Sequence, residues 1–273
     1  MTTPTRDATI RLVIFDWAGT VVDHGSIAPI AALMAAFAEI GIELTERDAR
    51  GPMGLSKRDH IDAILQLPLI SEQWKRAFGH LPTAADRDSL YERFLPRQAN
   101  EARRRTALIP GVSDCCTELR KRGIKIGTTT GYPRAIGKPV AESARLQGFA
   151  PDHCVFPDDV SSGRPAPWMI FRNMEATGIA PPASVVKVGD TVPDIEEGRN
   201  AGAWTVSVTE SGSEIGLDLE EWQALTHVEQ SQRSQEASKK LLNAGAHAVL
   251  PSVANLPDMI DTLNARLSRG EQP

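Results

Sequence analysis

The sequence predicts the α/β class, with a doubly wound parallel sheet as its core and a single all-helical insert. Three observations carry this. Short apolar runs rich in β-branched residues alternate with segments of helical periodicity. Glycines, threonines and carboxylates gather directly after those runs, where the carboxyl ends of parallel strands form a crevice. Between the first and second runs lies a long stretch that is helical in spacing throughout.

The first strand is read at residues 10–15, IRLVIF, a short apolar run rich in β-branched residues that fits burial on both faces. Runs of the same kind recur at 125–129 (KIGTT), 185–188 (VVKV), 205–208 (TVSV) and 247–250 (HAVL). Helical spacing occupies 111–122, 135–147, 168–177, 194–201 and 256–267. This alternation gives a Rossmann-like parallel sheet, in which sites gather at the strand ends. Residues 26–105 break the rhythm: IAPIAALMAAFAEIG, RDHIDAILQL, the region 74–78 and the region 86–95 are all helical patterns. The expected organisation is a core of residues 1–25 and 106–273, with 26–105 a helical cap lying over the strand ends as a lid. Residues 211–240 are rich in Glu, Gln and Ser and are expected to form a surface helical excursion.

With 273 residues, 41% of them hydrophobic and 24% charged, the chain is large enough to bury a substantial core. Its net charge of -5 is scattered, so it offers no basic footprint for nucleic acid or an anionic membrane, and a small-molecule partner is expected. Cys115, Cys116 and Cys154 give neither a disulfide framework nor a CxxC metal spacing, which favours a reducing compartment. The N-terminal apolar run is too short for a signal core or a membrane span, so a cytoplasmic location is expected.

Asp16 ends the first strand just before a Gly19-Thr20 turn. Thr130-Gly131 follow the second run, while Gly189-Asp190-Thr191 and then Asp194 follow the third. Gly163-Arg164-Pro165 sets a cation on a tight loop between them. Together these supply what phosphoryl transfer needs: a nucleophile, donors to phosphoryl oxygens, a cation and carboxylates for a divalent metal. Hard oxygen donors favour Mg²⁺, with Asp16 and Asp190 as its ligands. In order and spacing these segments resemble the haloacid dehalogenase superfamily, with Asp16 matching its nucleophile, Thr130 its second motif, Arg164 its basic third motif, and Asp190 with Asp194 its acidic fourth motif.

Phosphatases of that superfamily carry a second Asp two residues after the nucleophile, as general acid to the leaving alcohol. Here that position is Ala18, which would forgo roughly the 10²–10⁴-fold such catalysis contributes. A carbon leaving group needs no such acid, provided the electrons of the breaking P–C bond enter a protonated imine. An imine needs an amine, and the lid offers one in GPMGLSKRDH, residues 51–60. Ser56 reads as an N-cap with Asp59 three residues on, which puts Lys57 in the first helical turn. There the helix dipole disfavours an ammonium ion, and burial under a closed lid would lower its pKa further. His60 lies on the same helical face and could relay protons.

With these residues the resemblance narrows to the phosphonoacetaldehyde hydrolase family. FDWAGTVVD, GPMGLSKRDH, TTGYPR, PDDVSSGRPAPWM and VGDTVPDIEEGRNAGAWTV all resemble it closely, over nearly the full chain. The resemblance implies that Lys57 is the Schiff-base lysine, that Asp16 is the nucleophile, and that Asp190 binds Mg²⁺ beside Asp16 and the Ala18 carbonyl. It also implies that Met53, His60 and Tyr132 line the closed site, and that the reaction belongs to 2-aminoethylphosphonate degradation. Thr130, the Gly131 N–H and Arg164 are expected to stabilise phosphoryl charge, Asp194 to orient Arg164 or metal-bound water, and Gly54 to act as lid hinge. The family carries a cysteine at the core-to-lid junction where this chain has Ser26. Trp17 and Trp168 are read as structural. The IAPIAALMAAFAEIG helix is more continuously apolar than a solvated lid needs, so a homodimer interface is expected there. The competing readings are a phosphate-ester phosphatase or phosphomutase of the same superfamily, and a non-catalytic phosphate-binding protein.

Overall fold

A computed structural model describes residues 9–273; the polar residues 1–8, on which the N-terminal expectation partly rests, lie outside them. Six strands form one all-parallel sheet: β1 (Leu12–Phe15), β2 (Lys125–Thr128), β3 (His153–Cys154), β4 (Val185–Gly189), β5 (Trp204–Val208) and β6 (Ala248–Leu250). Their order is β3-β2-β1-β4-β5-β6. Because β1 and β4 are central and covered on both faces, every residue of each is buried, which is why β1 reads as an unbroken apolar run and β4 as one interrupted only by Lys187. Phe15 pairs with Thr128 on one side and Val188 on the other. Asp16, Thr129 and Gly189 therefore leave three adjacent strands at one level.

The helices are α1 (Ile27–Glu39), α2 (Glu46–Arg50), α3 (Lys57–Leu65), α4 (Pro68–Phe78), α5 (Ala84–Arg104), α6 (Val112–Lys121), α7 (Arg134–Leu146), α8 (Trp168–Thr177), α9 (Val192–Asn200), α10 (Leu219–Ala224), α11 (His227–Asn243) and α12 (Leu256–Ser268). On one face of the sheet Val13, Phe15, Ile126 and Val188 pack with Leu119, Val140 and Ile260 of α6, α7 and α12. On the other, Leu12, Ile14 and Val185 meet Ile170 of α8. Between β1 and β2 run α1 to α5, which enclose a separate apolar cluster that includes Leu33, Phe37, Ile61, Ile64 and Phe94. The class is the one the pattern predicts: a doubly wound sheet with an inserted helical cap. Toward its C-terminal end α5 turns Ala99 and Ala102 onto the core cluster, tying cap to core. Among the described residues no helix is long and apolar enough to cross a membrane.

The differences have physical causes. β3 is a two-residue edge strand, too short to show a period. α2 is one turn, ERDAR, fixed by Thr45, whose side chain accepts from the Asp48 N–H. Residues 211–240 do contain α10 and α11, but Ser211 and Ser213 are buried rather than on a surface excursion. α1 uses most of its apolar length inside the chain: Ile30, Ala32, Leu33, Ala36 and Phe37 are buried, leaving Met34, Ala35 and Ala38 outward.

Candidate active site

Four carboxylates converge beneath the cap, all buried: Asp16 at the end of β1, Asp190 after β4, and Asp194 and Glu197 on α9. Asp194 sits in the first turn of α9, where its Oδ2 accepts from the Thr191 hydroxyl at 2.5 Å. Arg164 reaches three of them. Its Nη2 donates to Asp16 Oδ1 at 2.7 Å, its Nη1 lies 2.9 Å from Asp194 Oδ1, and its Nε donates to Glu197 Oε2 at 3.1 Å. Lys187, from the middle of β4, lies 2.8 Å from Asp194 Oδ1 and 3.4 Å from Glu197 Oε2. Thr129 joins the network by accepting from Arg164 and Lys187, each at 2.8 Å, and donating to Glu197 at 2.9 Å.

The balance of charge is uneven. Arg164 and Lys187 hold Asp194 below the usual carboxylate range despite burial. Burial pushes Asp16 up in spite of Arg164, and burial with the facing Asp16 and Asp194 pushes Asp190 well up. Oxygens of Asp16, Asp190 and Asp194 all lie within 4.8 Å of one another. Buried hard-oxygen donors left short of positive charge fit a divalent cation. Asp190 is aimed by two contacts, accepting from Thr20 Oγ1 at 3.2 Å and from the Ser213 N–H at 2.8 Å.

The cap presents its lysine to this cluster. Ser56 caps α3, its hydroxyl accepting from the Asp59 N–H at 3.3 Å and donating to Asp59 Oδ2 at 2.5 Å. Lys57, the first residue of α3, is 4% exposed, and its Nζ lies 5.9 Å from the centre of the Tyr132 ring. Burial lowers Lys57 to about 8, with Arg164 adding to the effect and Asp16 opposing it. A cavity of about 20 Å³, room for one or two waters, is lined by Asp16, Ala18, Met53, Gly54, Lys57 and Arg164, together with Thr130, Gly131, Tyr132 and Ser26. Cap and core meet here through glycines. A Cβ at Gly131 would lie 2.5 Å from the Leu55 carbonyl oxygen, and one at Gly54, whose φ is +94°, 2.2 Å from Thr191 Oγ1.

Of Met53, His60 and Tyr132, expected to line the closed site, only His60 lies off the cavity wall. It is fully buried, and its Nε2 donates to the Ala49 carbonyl at 2.8 Å. Burial, then the nearby Lys57 charge, bring it to about 3, so it is neutral and its Nδ1 is an acceptor without a protein partner. Thr130 Oγ1 accepts from the Tyr132 N–H at 3.0 Å. Trp17 is buried and meets Phe149 edge-on, whereas Trp168 is 46% exposed.

Sequence reading missed Thr129, Lys187, Glu197 and Ser213. A lysine inside the otherwise apolar VVKV was itself a signal, because a cation on a central strand must find buried carboxylates. Glu197, three residues after Asp194, lies on the same face of α9. Ser213 acts through its backbone and left no signal. Lys187→Met is expected to destabilise the fold by about 3–5 kcal/mol, since it strands buried carboxylates; a shifted midpoint in denaturant unfolding is the check.

The haloacid dehalogenase-like hydrolase family matches residues 10–202. The chain is 44% identical over 264 residues to the phosphonoacetaldehyde hydrolase of Paraburkholderia xenovorans, covering 97% of this chain and 99% of that protein. It is also 44% identical over 263 residues to the phosphonoacetaldehyde hydrolase of Bacillus cereus, covering 93% and 96%. Among solved structures, a phosphonoacetaldehyde hydrolase like protein from Oleispira antarctica superposes with a TM-score of 0.96 at 41% identity, covering 100% of this chain and 99% of that one. A hydrolase from Pseudomonas syringae, at 20% identity and a TM-score of 0.66 over 93% of this chain and 99% of its own, shares the fold.

Proposed function

The chain belongs to the phosphonoacetaldehyde hydrolases within the haloacid dehalogenase-like hydrolases, and from that premise we propose that it cleaves its substrate through a Lys57 imine and an Asp16 aspartyl phosphate. The free amine of Lys57 adds to the aldehyde and loses water, giving a protonated imine. Asp16 attacks phosphorus, and the electrons of the P–C bond move into the imine to leave a neutral enamine. Protonation at carbon and hydrolysis release acetaldehyde and restore Lys57, while water frees phosphate from Asp16. One water is released and two are consumed, so the sum is hydrolysis to acetaldehyde and phosphate.

The observation that carries this reading is a buried amine lowered to about 8 on the same cavity as Asp16, with Ala18 where an ester phosphatase needs a proton donor. Arg164 orients Asp16, and Thr130 with the Gly131 N–H faces the phosphoryl oxygens. Asp16, Asp190 and the Ala18 carbonyl would hold Mg²⁺, which would supply charge neutralisation at the phosphoryl group when bound. Asp194 positions Arg164 and Lys187. The cavity has room for only one or two waters, so substrate entry is proposed to use movement of residues 26–105 as a cap, with Gly54 as its hinge.

The test is turnover of phosphonoacetaldehyde, with acetaldehyde and phosphate released one to one, lost on chelation and restored by Mg²⁺. A protein releasing phosphate from esters but not from the phosphonate would be the phosphatase instead. The pH dependence has a defined sign. Lys57 is lowered from 10.5 to about 8, so the free amine increases as pH rises through about 8 and then levels off. At pH 6 about 1% of it is free, and borohydride inactivation in the presence of acetaldehyde should be about 100-fold slower than on the plateau.

We also propose a cytoplasmic role in 2-aminoethylphosphonate degradation; the free thiols of Cys115, Cys116 and Cys154 suit a reducing compartment. A homodimer across the outward side of α1, where Met34 and Ala35 are exposed, completes the proposal. Light scattering should give twice the 29.6 kDa chain mass, and a monomeric mass would remove it.

A further inference from the structure

Arg50 is the last residue of α2, and the Gly51-Pro52-Met53-Gly54 turn that leads to Lys57 begins directly after it. Its guanidinium joins three parts of the molecule. Nη1 donates to the Gly25 carbonyl at 2.9 Å, on the linker through which the core enters the cap. Nη2 donates to the Gly216 carbonyl at 3.1 Å, and Nη1 also lies 3.4 Å from the carbonyl and hydroxyl oxygens of Ser213. Nε donates to Glu46 on its own helix at 2.8 Å.

The loop that Arg50 grips is the one that aims the acidic cluster. Ser213 donates its N–H to Asp190, and the Ser211 hydroxyl donates to the Gly19 carbonyl at 2.7 Å, beside the Asp16 turn. The Gly25 N–H donates to the Ser211 carbonyl at 2.8 Å, so linker and loop are bonded to each other as well as to Arg50. Five donors in one rigid plane suit this geometry, because separate carbonyls on different segments can be held at fixed spacing.

We infer that Arg50 is a positioning residue: by bonding α2 to the linker and to residues 213–216, it holds the Lys57 turn and the Asp190 loop in the one arrangement where amine and carboxylates share a cavity. The inference rests on the imine reading above. It touches no substrate. Loss of its contacts is expected to fall on the fraction of molecules assembled for reaction and so to be felt mainly in kcat.

The experiment measures phosphonoacetaldehyde turnover and thermal midpoint for Arg50→Ala, Arg50→Lys and Glu46→Gln, with Lys57→Arg alongside. Arg50→Ala should lose roughly 10–100-fold in kcat/KM, the range set by partners that orient reacting groups. Millimolar guanidinium chloride should restore part of that loss, because Arg50 borders a solvent-connected cavity of about 800 Å³ through which the ion can reach the vacated position. Arg50→Lys should recover little, since an ammonium cannot span the two carbonyls in one plane. Glu46→Gln should behave as wild type, its contact with Arg50 being solvent-facing.

Wild-type kcat/KM in Arg50→Ala would overturn the inference, as would a loss that guanidinium leaves unchanged. If Arg50→Ala does not fold, Arg50→Lys decides: full activity overturns the inference, and a kcat loss at an unchanged midpoint supports it. Lys57→Arg separates this from the premise, for if that variant still cleaves the P–C bond the imine reading fails, whatever Arg50 does.

Discussion

Asp16→Asn is expected to lower P–C cleavage by roughly 10⁴–10⁶-fold, the scale seen when a covalent nucleophile is removed, while leaving imine formation at Lys57 intact. The amide keeps the shape of the carboxylate and can still accept from Arg164, but it cannot carry the phosphoryl group. It also removes one of the three buried carboxylates that Arg164 reaches. Burial already pushes Asp16 up, so without metal the variant should unfold at the same temperature as wild type or a higher one. Phosphate release and calorimetry check the two halves. Substantial residual cleavage would mean that another group attacks phosphorus.

Lys57→Arg should cost at least about 10⁴-fold, or about 5 kcal/mol of barrier. The substitution is chosen for what it keeps. With Lys57 lowered only to about 8, most of it is cationic at neutral pH, and Arg preserves that charge beside Asp16. What Arg cannot do is shed its proton and condense with an aldehyde. A fall in acetaldehyde release therefore isolates the amine as nucleophile. If a large share of activity survived, the lysine would be acting as a charge alone.

Much of the site was legible because its chemistry interrupts a hydrophobic pattern. Asp16 and Asp190 each follow an apolar run, and Ala18 stands out as an absence against the superfamily resemblance. Ser56, Lys57 and Asp59 follow helix-capping rules, and the cap forms as those rules predict. The residues that escaped work by relation rather than by type. Thr129 and Lys187 acquire meaning only when β2 and β4 flank β1 and bring them to the carboxylates that Arg164 also contacts. Ser213 contributes a backbone N–H, which no side-chain pattern encodes. His60 had the right face but not the right exposure, because the Ala49 carbonyl that holds its ring lies on α2, a helix of one turn. The apolar character of α1 reflected a partner within the cap, with Phe37 and Phe94 in one cluster, as much as any outward surface.

The imine is the central claim, and borohydride trapping tests it most directly. Wild-type protein incubated with phosphonoacetaldehyde and reduced with borohydride should lose activity and carry one reduced two-carbon adduct, mapped by peptide mass to Lys57. An unmodified Lys57 in protein that still releases phosphate would contradict the account.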